Sequence, residues 1–160
     1  MVAGLYPNLV RADPSPKPGA PPRLAYRGPD GKEASCALHP SSVNASRPKL
    51  PSRWLVYHEM VKTTSVYIRD ATPVTPYQLL LFGGAISVQH SAGTVALDSW
   101  AVFAAPPKVA VLFKELRARL DGLLAAKIRD PGLDLTAQGA PVLDAIVSLL
   151  TTEPTVLALA

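Results

Sequence analysis

Regular hydrophobic patterning begins at Ala34, where polar and apolar positions alternate in short runs. Residues 34–40, 53–62 and 65–74 are rich in β-branched and aromatic side chains, and prolines or small polar residues close each run. Alternation with a period of two is the pattern of a half-buried strand. The chain is therefore expected to form three strands between residues 34 and 74.

A short helix and a hairpin are predicted next. Thr75 can cap a helix over 76–82, with Pro76 at its first position and the glycine pair at 83–84 ending it. The segments AISVQH and GTVALD flank a small turn and predict a hairpin, and WAVFA predicts one more strand. The chain thus carries five or six short strands with one helix inserted among them.

Beyond residue 107 the hydrophobic period becomes that of a helix. Apolar residues recur at intervals of three and four: Val109, Leu112, Phe113, Leu116, Leu120, Leu123, Leu124 and Ile128. Glu115 with Arg119, and Arg117 with Asp121, are spaced to pair across one turn. This helix is expected to end near the Asp-Pro-Gly turn at 130–132, and a second helix to follow Pro141.

The segment 11–33 has a different texture, because six of its residues are prolines and it shows no sustained apolar period. Such a composition predicts a flexible, disordered connector. Together these patterns predict a mainly β fold with α-helices. The arrangement expected is a small barrel of the oligonucleotide-binding (OB) type with C-terminal helices.

The formal charge of +4 is unevenly distributed. Residues 1–53 carry eight bases against three acids, residues 54–99 have a balance of −1, and the last 61 residues balance six against six. The basic excess is therefore N-terminal. Two interpretations of it remain open, a solvated proline-rich tail and an arm that contacts phosphate.

Several kinds of chemistry lack their motifs. The chain has no Walker A motif, no dinucleotide-binding glycine motif and no nucleophile elbow. Its three histidines are far apart, which disfavours a metal site, and a single cysteine, Cys36, cannot form an internal disulfide. No apolar stretch reaches the ~18 residues needed to span a bilayer. We expect a non-catalytic protein of a reducing, intracellular compartment, with no metal or cofactor of its own.

Four sequence blocks occur in a recognisable order: AGLYPNL (3–9), LHPSSVN (38–44), WLVYHEMVKTTSVYIRDATPVTPYQLLLFGG (54–84) and VAVLFKELRARLDGLLAAKI (109–128). They resemble the C-terminal OB-fold region of DEAH-box (DExH) RNA helicases. Thr75 stands where that family usually has serine. The resemblance covers most of the chain.

The resemblance implies a domain organisation. Residues 1–10 resemble the end of the helical ratchet domain, 11–33 a variable linker, 34–105 the OB-fold barrel and 106–160 the C-terminal helices. In these helicases RecA-like domains bind ATP and Mg²⁺ and hydrolyse the nucleotide. Those domains are not in this sequence, so we expect a fragment of an ATP-dependent RNA helicase.

The resemblance also suggests RNA-binding residues. Lys62, Thr63, Thr64 and Ser65 match a loop between two barrel strands, where a lysine beside hydroxyls suits phosphate. His39, Ser41 and Ser42 match a His-Pro-Ser-Ser turn whose hydroxyls could bond either backbone amides or phosphate. Arg69 could bind phosphate or form a structural ion pair with a neighbouring acid.

Other residues have structural interpretations. Tyr57 and Tyr67 could stack on a base but suit the barrel core better, and Trp54 and Trp100 are expected in the core. Cys36 is expected to be a small buried residue. The basic residues of the long helix are expected to be solvated: Lys114, Arg117 and Arg119.

Two functions remain open at this stage. The first is an RNA-binding and regulatory module of a DExH-box helicase, with single-stranded or structured RNA as its partner. The alternative is a docking module for the helicase core domains or for activator proteins, without direct RNA contact. Under either function we expect a cytoplasmic, nuclear or organellar protein that does not enter a membrane.

Overall fold

The computed structural model describes residues 1–17, 19–47, 49–151 and 158–159. They form two compact units, residues 1–75 and residues 76–160. The end of the C-terminal region predicted at 106–160 falls partly outside the described residues. In the described part of the chain, no helix has the length and apolarity needed to cross a membrane.

The first unit consists of a short helix and seven strands. Helix α1 spans Val2–Leu5. The strands are β1 (Leu9–Asp13), β2 (Arg23–Arg27), β3 (Glu33–Leu38), β4 (Trp54–Val56), β5 (Glu59–Lys62), β6 (Val66–Arg69) and β7 (Thr72–Val74). They form one sheet in the order β5-β6-β3-β2-β1-β4-β7.

The sheet is antiparallel except where β3 meets β6. These two strands run parallel, with Ala37 opposite Tyr67 and Leu38 opposite Ile68. This parallel contact joins the β5–β6 hairpin to the other five strands, and the sheet curls into a half-barrel. The predicted mainly β, OB-type fold with C-terminal helices is confirmed.

A hydrophobic cluster supports the curled sheet. Its buried members are Val10, Ala12, Leu24, Leu50, Leu55, Tyr57, Ile68 and Ala71. Val10, Leu55 and Ile68 have no exposed surface at all. Burying an aliphatic side chain of this size contributes about 1.5–3 kcal/mol, so this cluster contributes strongly to the stability of the first unit.

The proline-rich segment contributes strands. β1 extends to Asp13, and β2 pairs with it from Arg23 to Tyr26 and with β3 on its other side. The prediction of a flexible connector over 11–33 is therefore wrong for residues 11–13 and 23–27. Pro14, Pro16, Pro21 and Pro22 lie in the β1–β2 connection, where no ladder hydrogen bonds are needed.

The run at 53–62 forms two strands rather than one. β4 pairs with β1 and β7, whereas β5 pairs only with β6 at the other end of the sheet order. The chain leaves β4 at Tyr57, whose N–H donates to the Asn8 carbonyl at 3.1 Å. Periodicity alone could not reveal this break, because β-forming residues lie on both sides of it.

The second unit combines a small sheet with helices. Its helices are α2 (Pro76–Phe82), α3 (Pro107–Arg129) and α4 (Leu135–Thr151), and its strands are β8 (Ile86–Gln89), β9 (Thr94–Leu97), β10 (Ala101–Ala104) and β11 (Ala158–Leu159). The strands are ordered β11-β10-β9-β8. The predicted short helix, hairpin, following strand and long helix are confirmed.

The barrel boundaries differ from those expected. The seven-stranded sheet runs from residue 9 to residue 74, so it includes two residues assigned to the ratchet remnant at 1–10. The hairpin at 86–97, which we expected inside a barrel at 34–105, belongs to the separate four-stranded sheet. Strand patterns alone do not say which sheet a hairpin joins.

Helix α4 begins earlier than expected. The Asp134 carboxylate accepts hydrogen bonds from the Thr136 and Ala137 N–H groups at 2.8 and 3.3 Å, which caps the helix. Pro141 therefore lies inside the helix rather than before it. In the sequence, the capping residue Asp134 was the signal that would have given the correct start of α4.

Helix α3 uses its side chains differently from the prediction. Phe113 and Leu120 are buried, but Leu112 and Ile128 are 66% and 80% exposed. Arg117 is not a solvated residue. Its guanidinium binds Asp121 at 2.9 Å and donates to the Leu80 and Gly83 carbonyls at the end of α2, at 3.4 and 3.0 Å.

Candidate nucleic-acid interface

The turn between β5 and β6 presents an ammonium group and three hydroxyls to solvent. The hairpin is in register from Glu59 opposite Arg69 to Lys62 opposite Val66. The turn closes where the Thr63 N–H donates to the Ser65 carbonyl at 2.9 Å. The four predicted residues, Lys62, Thr63, Thr64 and Ser65, are all exposed.

Lys62 has no ion-pair partner among the described residues. The turn therefore offers a phosphate group one uncompensated positive charge with hydroxyl donors next to it. Lysine and hydroxyl side chains are among the usual ligands of nucleic-acid phosphates. The arrangement suits the backbone of a nucleic acid and carries no base-reading group.

The His-Pro-Ser-Ser turn lies at the other end of β6. His39 follows β3, and its N–H donates to the Ile68 carbonyl at 2.9 Å. Its ring meets Tyr67 edge to face, with centroids 6.0 Å apart. The histidine is therefore fixed in place by the sheet.

The imidazole of His39 is engaged at both nitrogens. Nε2 lies 3.3 Å from Nη2 of Arg69, and Nδ1 lies 2.6 Å from Oγ of Ser41. The Ser41 N–H also points to Nδ1 at 3.2 Å. A neutral ring accepts at only one nitrogen, so the Arg69 and Ser41 N–H contacts require opposite tautomers, whereas the Ser41 hydroxyl suits both.

Arg69 is held between an acid and the histidine. Its guanidinium lies 3.5 Å from the Glu59 carboxylate, and its side chain is 43% exposed. Its Nε atom is buried without a hydrogen-bond partner. Arg69 is thus only partly compensated, because a single long ion pair and a neutral acceptor leave donor capacity unused.

Ser42 and its neighbours hold the turn together. The Ser42 N–H donates to the His39 carbonyl at 2.8 Å, and its hydroxyl accepts from the Asn44 N–H at 3.4 Å. Asn44, which the sequence analysis did not single out, is buried and donates to the Ala71 carbonyl at 2.7 Å. These contacts support the backbone interpretation of Ser42.

The structure therefore divides the eight candidates into two groups. His39, Ser41 and Arg69 meet at the end of β6, with Ser42 in the adjoining turn, while the turn 62–65 precedes the same strand. Because a strand rises about 3.3 Å per residue, β6 separates the groups by roughly 10 Å. The exposed turn is the better ligand site, since its side chains make fewer internal contacts.

Two other bases of this unit, Arg11 and Arg53, are neutralised internally. Arg11 forms a bidentate pair with Glu33 at 2.7 and 3.0 Å and also binds Asp13, and Arg53 binds Asp13 at 2.6 Å. Burial disfavours ionised Asp13, but hydrogen bonds from Arg53 and Arg11 outweigh it, so the pKa of Asp13 is lowered. This network is structural.

The aromatic candidates are mostly internal. Trp54 and Tyr57 are buried, which confirms their core assignment, whereas Tyr67 is half-buried against His39. Trp100 is only half-buried, because it follows the tight turn between β9 and β10. The turn 62–65 itself contains no aromatic residue that could stack on a base.

A comparison with protein families gives the class. Residues 1–86 match the oligonucleotide/oligosaccharide-binding (OB)-fold family, and residues 93–152 match the C-terminal domain in RNA helicases. The two matches follow each other along the chain and together cover most of it.

Curated relatives identify the group within this class. The chain is 39% identical over 157 residues to the ATP-dependent DNA/RNA helicase DHX36 of Homo sapiens, with 94% of the chain and 15% of that protein covered. It is 41% identical over 154 residues to the DExH-box ATP-dependent RNA helicase DExH1 of Arabidopsis thaliana, with 96% and 15% covered.

The human ATP-dependent RNA helicase DHX29 gives 37% identity over 153 residues, covering 96% of the chain and 11% of that protein. The chain belongs to the OB-fold and C-terminal region of the DExH-box RNA helicases. It spans about one seventh or less of the length of these relatives.

Proposed function

We propose that this chain binds RNA as the OB-fold module of a DExH-box helicase. The exposed turn formed by Lys62, Thr63, Thr64 and Ser65 carries the proposal, because it combines an unpaired ammonium group with three hydroxyls at the tip of a barrel hairpin. Arg69 contributes its remaining donor capacity at the other end of β6. Contacts of this kind neutralise phosphates and do not distinguish bases.

The distribution of charge supports the same ligand. Residues 1–75 carry ten bases and five acids, a balance of +5, whereas residues 76–160 carry six bases and seven acids, a balance of −1. A polyanion is therefore attracted to the first unit. With few phosphate contacts, binding by the module alone is weak and tolerant of sequence.

Within a full-length helicase this module adds affinity for RNA and guides the strand. Hydrolysis of ATP with Mg²⁺ is the work of other domains of such a helicase. The relatives are described as ATP-dependent helicases, and this chain corresponds to only a small part of each of them. RNA as a ligand implies an intracellular site of action.

Fluorescence anisotropy with a labelled oligouridine of about 12 nucleotides tests the proposal. If about four phosphates are contacted, affinity falls roughly 50-fold between ~50 and ~200 mM salt. We expect Lys62→Ala to weaken binding about 3- to 10-fold and to reduce the salt slope by about 0.7.

Lys32→Ala is the matched control, because Lys32 is also an exposed lysine beside a hairpin turn, at the β2–β3 connection. We expect it to change affinity less than twofold. Equal losses for the two variants would mean that only the net charge matters, and the absence of salt-sensitive binding would reject RNA as the ligand.

The second candidate function is docking on helicase core domains. The observation that favours it is the set of exposed apolar side chains on α3 and α4: Val111, Leu112, Leu124, Ile128, Val147 and Leu150. Apolar side chains exposed in such numbers are typical of interaction surfaces. Sedimentation of the chain with a separately expressed RecA-like core tests docking, and Leu112→Glu is expected to abolish any association.

A further inference from the structure

The first unit contains a groove remote in sequence from the turn at 62–65. It has a volume of about 440 Å³ and lies against the β2–β3 hairpin. Three segments line it: residues 21–24, 35–38 and part of 44–50. The proposed RNA contacts use none of these segments.

The groove is apolar and aliphatic. Four apolar residues line it: Leu24 and Leu50 belong to the hydrophobic cluster of the unit, and Cys36 and Leu38 pack against that cluster. None of the lining residues is aromatic. Nucleobases bind proteins largely by stacking on aromatic side chains, so this groove is a poor base pocket. Its shape and chemistry suit an aliphatic side chain.

The charged side chains that line the groove are both arginines. Arg23 and Arg47 are exposed, and no acid lines the groove. In the described part of the chain, neither arginine forms an ion pair. The amide of Asn44, the buried polar group of the lining, is already bound to the Ala71 carbonyl. The groove therefore carries positive charge that no ion pair of the described residues compensates, and a negatively charged ligand would compensate it.

The Cys36 side chain indicates that the floor of the groove is poorly hydrated. Burial raises the pKa of its thiol to about 12. A side chain inserted beside it would complete an apolar contact that the chain itself leaves open.

We propose that this groove binds an acidic peptide segment, which inserts one aliphatic side chain against Leu24, Cys36 and Leu38 and pairs flanking carboxylates with Arg23 and Arg47. Arginine binds carboxylates in a fixed bidentate geometry, so the two arginines would fix the position of the peptide on either side of its apolar anchor. This site is independent of the proposed RNA-binding turn.

The test uses the whole chain and fluorescein-labelled peptides in an anisotropy titration. The peptide Asp-Glu-Leu-Glu-Asp is expected to bind. Replacing its leucine by serine is expected to weaken binding at least ~10-fold, because the apolar anchor is lost. A peptide with lysines in place of the acids is expected not to bind.

Three variants sharpen the result. Arg23→Glu and Arg47→Glu are each expected to weaken binding of the leucine peptide at least ~10-fold, whereas Lys32→Glu, outside the groove, changes it less than ~3-fold. Amide chemical shifts in the nuclear magnetic resonance spectrum of the wild type show whether the peptide perturbs 21–24, 35–38 and 44–47 even if a variant fails to fold.

Equal binding of the leucine and serine peptides would overturn the proposal, because charge alone would then explain the affinity. The proposal would also be overturned if oligouridine competed with the peptide and Arg23→Glu weakened that competition, since the groove would then be a nucleotide site. Lys62→Ala separates the two proposals: we expect it to affect RNA binding and to leave peptide binding unchanged.

Discussion

The two units of this chain differ in net charge and in what some of their basic residues contact. In the second unit two arginines of α3 are bound internally: Arg117 binds Asp121 and two carbonyls at the end of α2, and Arg119 pairs with Glu115 at 3.1 Å. In the first unit Lys62, Arg23 and Arg47 are exposed, and none of the ion pairs in the described part of the chain involves them.

The comparison shows that the net charge of the whole protein predicts ligand binding less well than the partners of each individual charge do. A balance of +5 in residues 1–75 and −1 in residues 76–160 separates the units. The first unit therefore has an excess of positive charge to offer a ligand, although Arg11 and Arg53 bind acids within it, whereas in the second unit Arg117 links α3 to the end of α2. The predictions that follow test this contrast.

The largest effect is expected at Cys36, which reports on the first unit alone. With the thiol pKa raised from 9.0 to about 12, the reactive thiolate is rare at neutral pH. At pH 8, iodoacetamide is expected to alkylate Cys36 at least ~30-fold more slowly in the folded chain than in the chain unfolded by guanidinium. This figure already allows for the greater nucleophilicity of a thiolate with a higher pKa. The measurement is mass spectrometry over time, and equal rates would show that the thiol is not buried.

Gly84 tests the packing of the second unit. A Cβ atom at this position would overlap Oδ2 of Asp98, whose other carboxylate oxygen, Oδ1, accepts a hydrogen bond from the Ala85 N–H at 2.9 Å. Gly84→Ala must displace that carboxylate, and we expect it to lower the free energy of unfolding by about 2–3 kcal/mol.

Gly122→Ala is the control for this substitution, because a Cβ at Gly122, on an exposed position of α3, meets nothing within 4 Å. It is expected to stabilise the helix by up to ~1 kcal/mol. Both are measured by thermal melting followed by circular dichroism in the helical band. Equal stability of the two variants would show that Asp98 moves aside at no cost.

Much of the fold was predictable from the sequence. The helix at 76–82 was predicted with its observed boundaries, because proline and glycine punctuate it at both ends. The ion pairs of α3 followed from spacing alone. The seven-stranded sheet was not predictable in full, because β2 lies just after a proline-rich stretch and its partners are distant in sequence.

The candidate site was predictable in part. The turn at 62–65 was assigned from the resemblance to the DExH-box helicases, and it is exposed at a hairpin tip. The contact between His39 and Arg69 depends on the parallel pairing of β3 with β6, which no local pattern reveals. The groove beside Arg23 and Arg47 was missed for the same reason, since its walls come from three separate segments.

Asp13 tests whether the internal ion network of the first unit is structural. Its lowered pKa means that its contribution to stability is complete at neutral pH. That contribution is lost as the pH falls below the ordinary value of 3.8 and through the lower pKa of the folded state. We expect Asp13→Asn to lower the free energy of unfolding by about 1–2 kcal/mol at pH 7 and to flatten the acid limb of a plot of stability against pH.

The control for Asp13→Asn is Asp30→Asn, an exposed turn residue of the same unit. We expect a change within about 0.5 kcal/mol at pH 7. Urea titrations of both variants at pH 7 and pH 3 give the comparison. If Asp13→Asn kept the full acid sensitivity of the wild type, the network would not be the source of that sensitivity.

The smallest effect is expected on α3, where two arginines two residues apart differ in their partners. Arg117→Ala removes donors from the Gly83 carbonyl and from Asp121, so a loss of about 1 kcal/mol is expected. Arg119 is 65% exposed and pairs with an equally exposed acid, so Arg119→Ala should cost no more than a few tenths of a kcal/mol. Urea unfolding measures both. Equal costs would mean that the carbonyl contacts of Arg117 add nothing, and that the second unit holds its charges no more tightly than a solvated helix face.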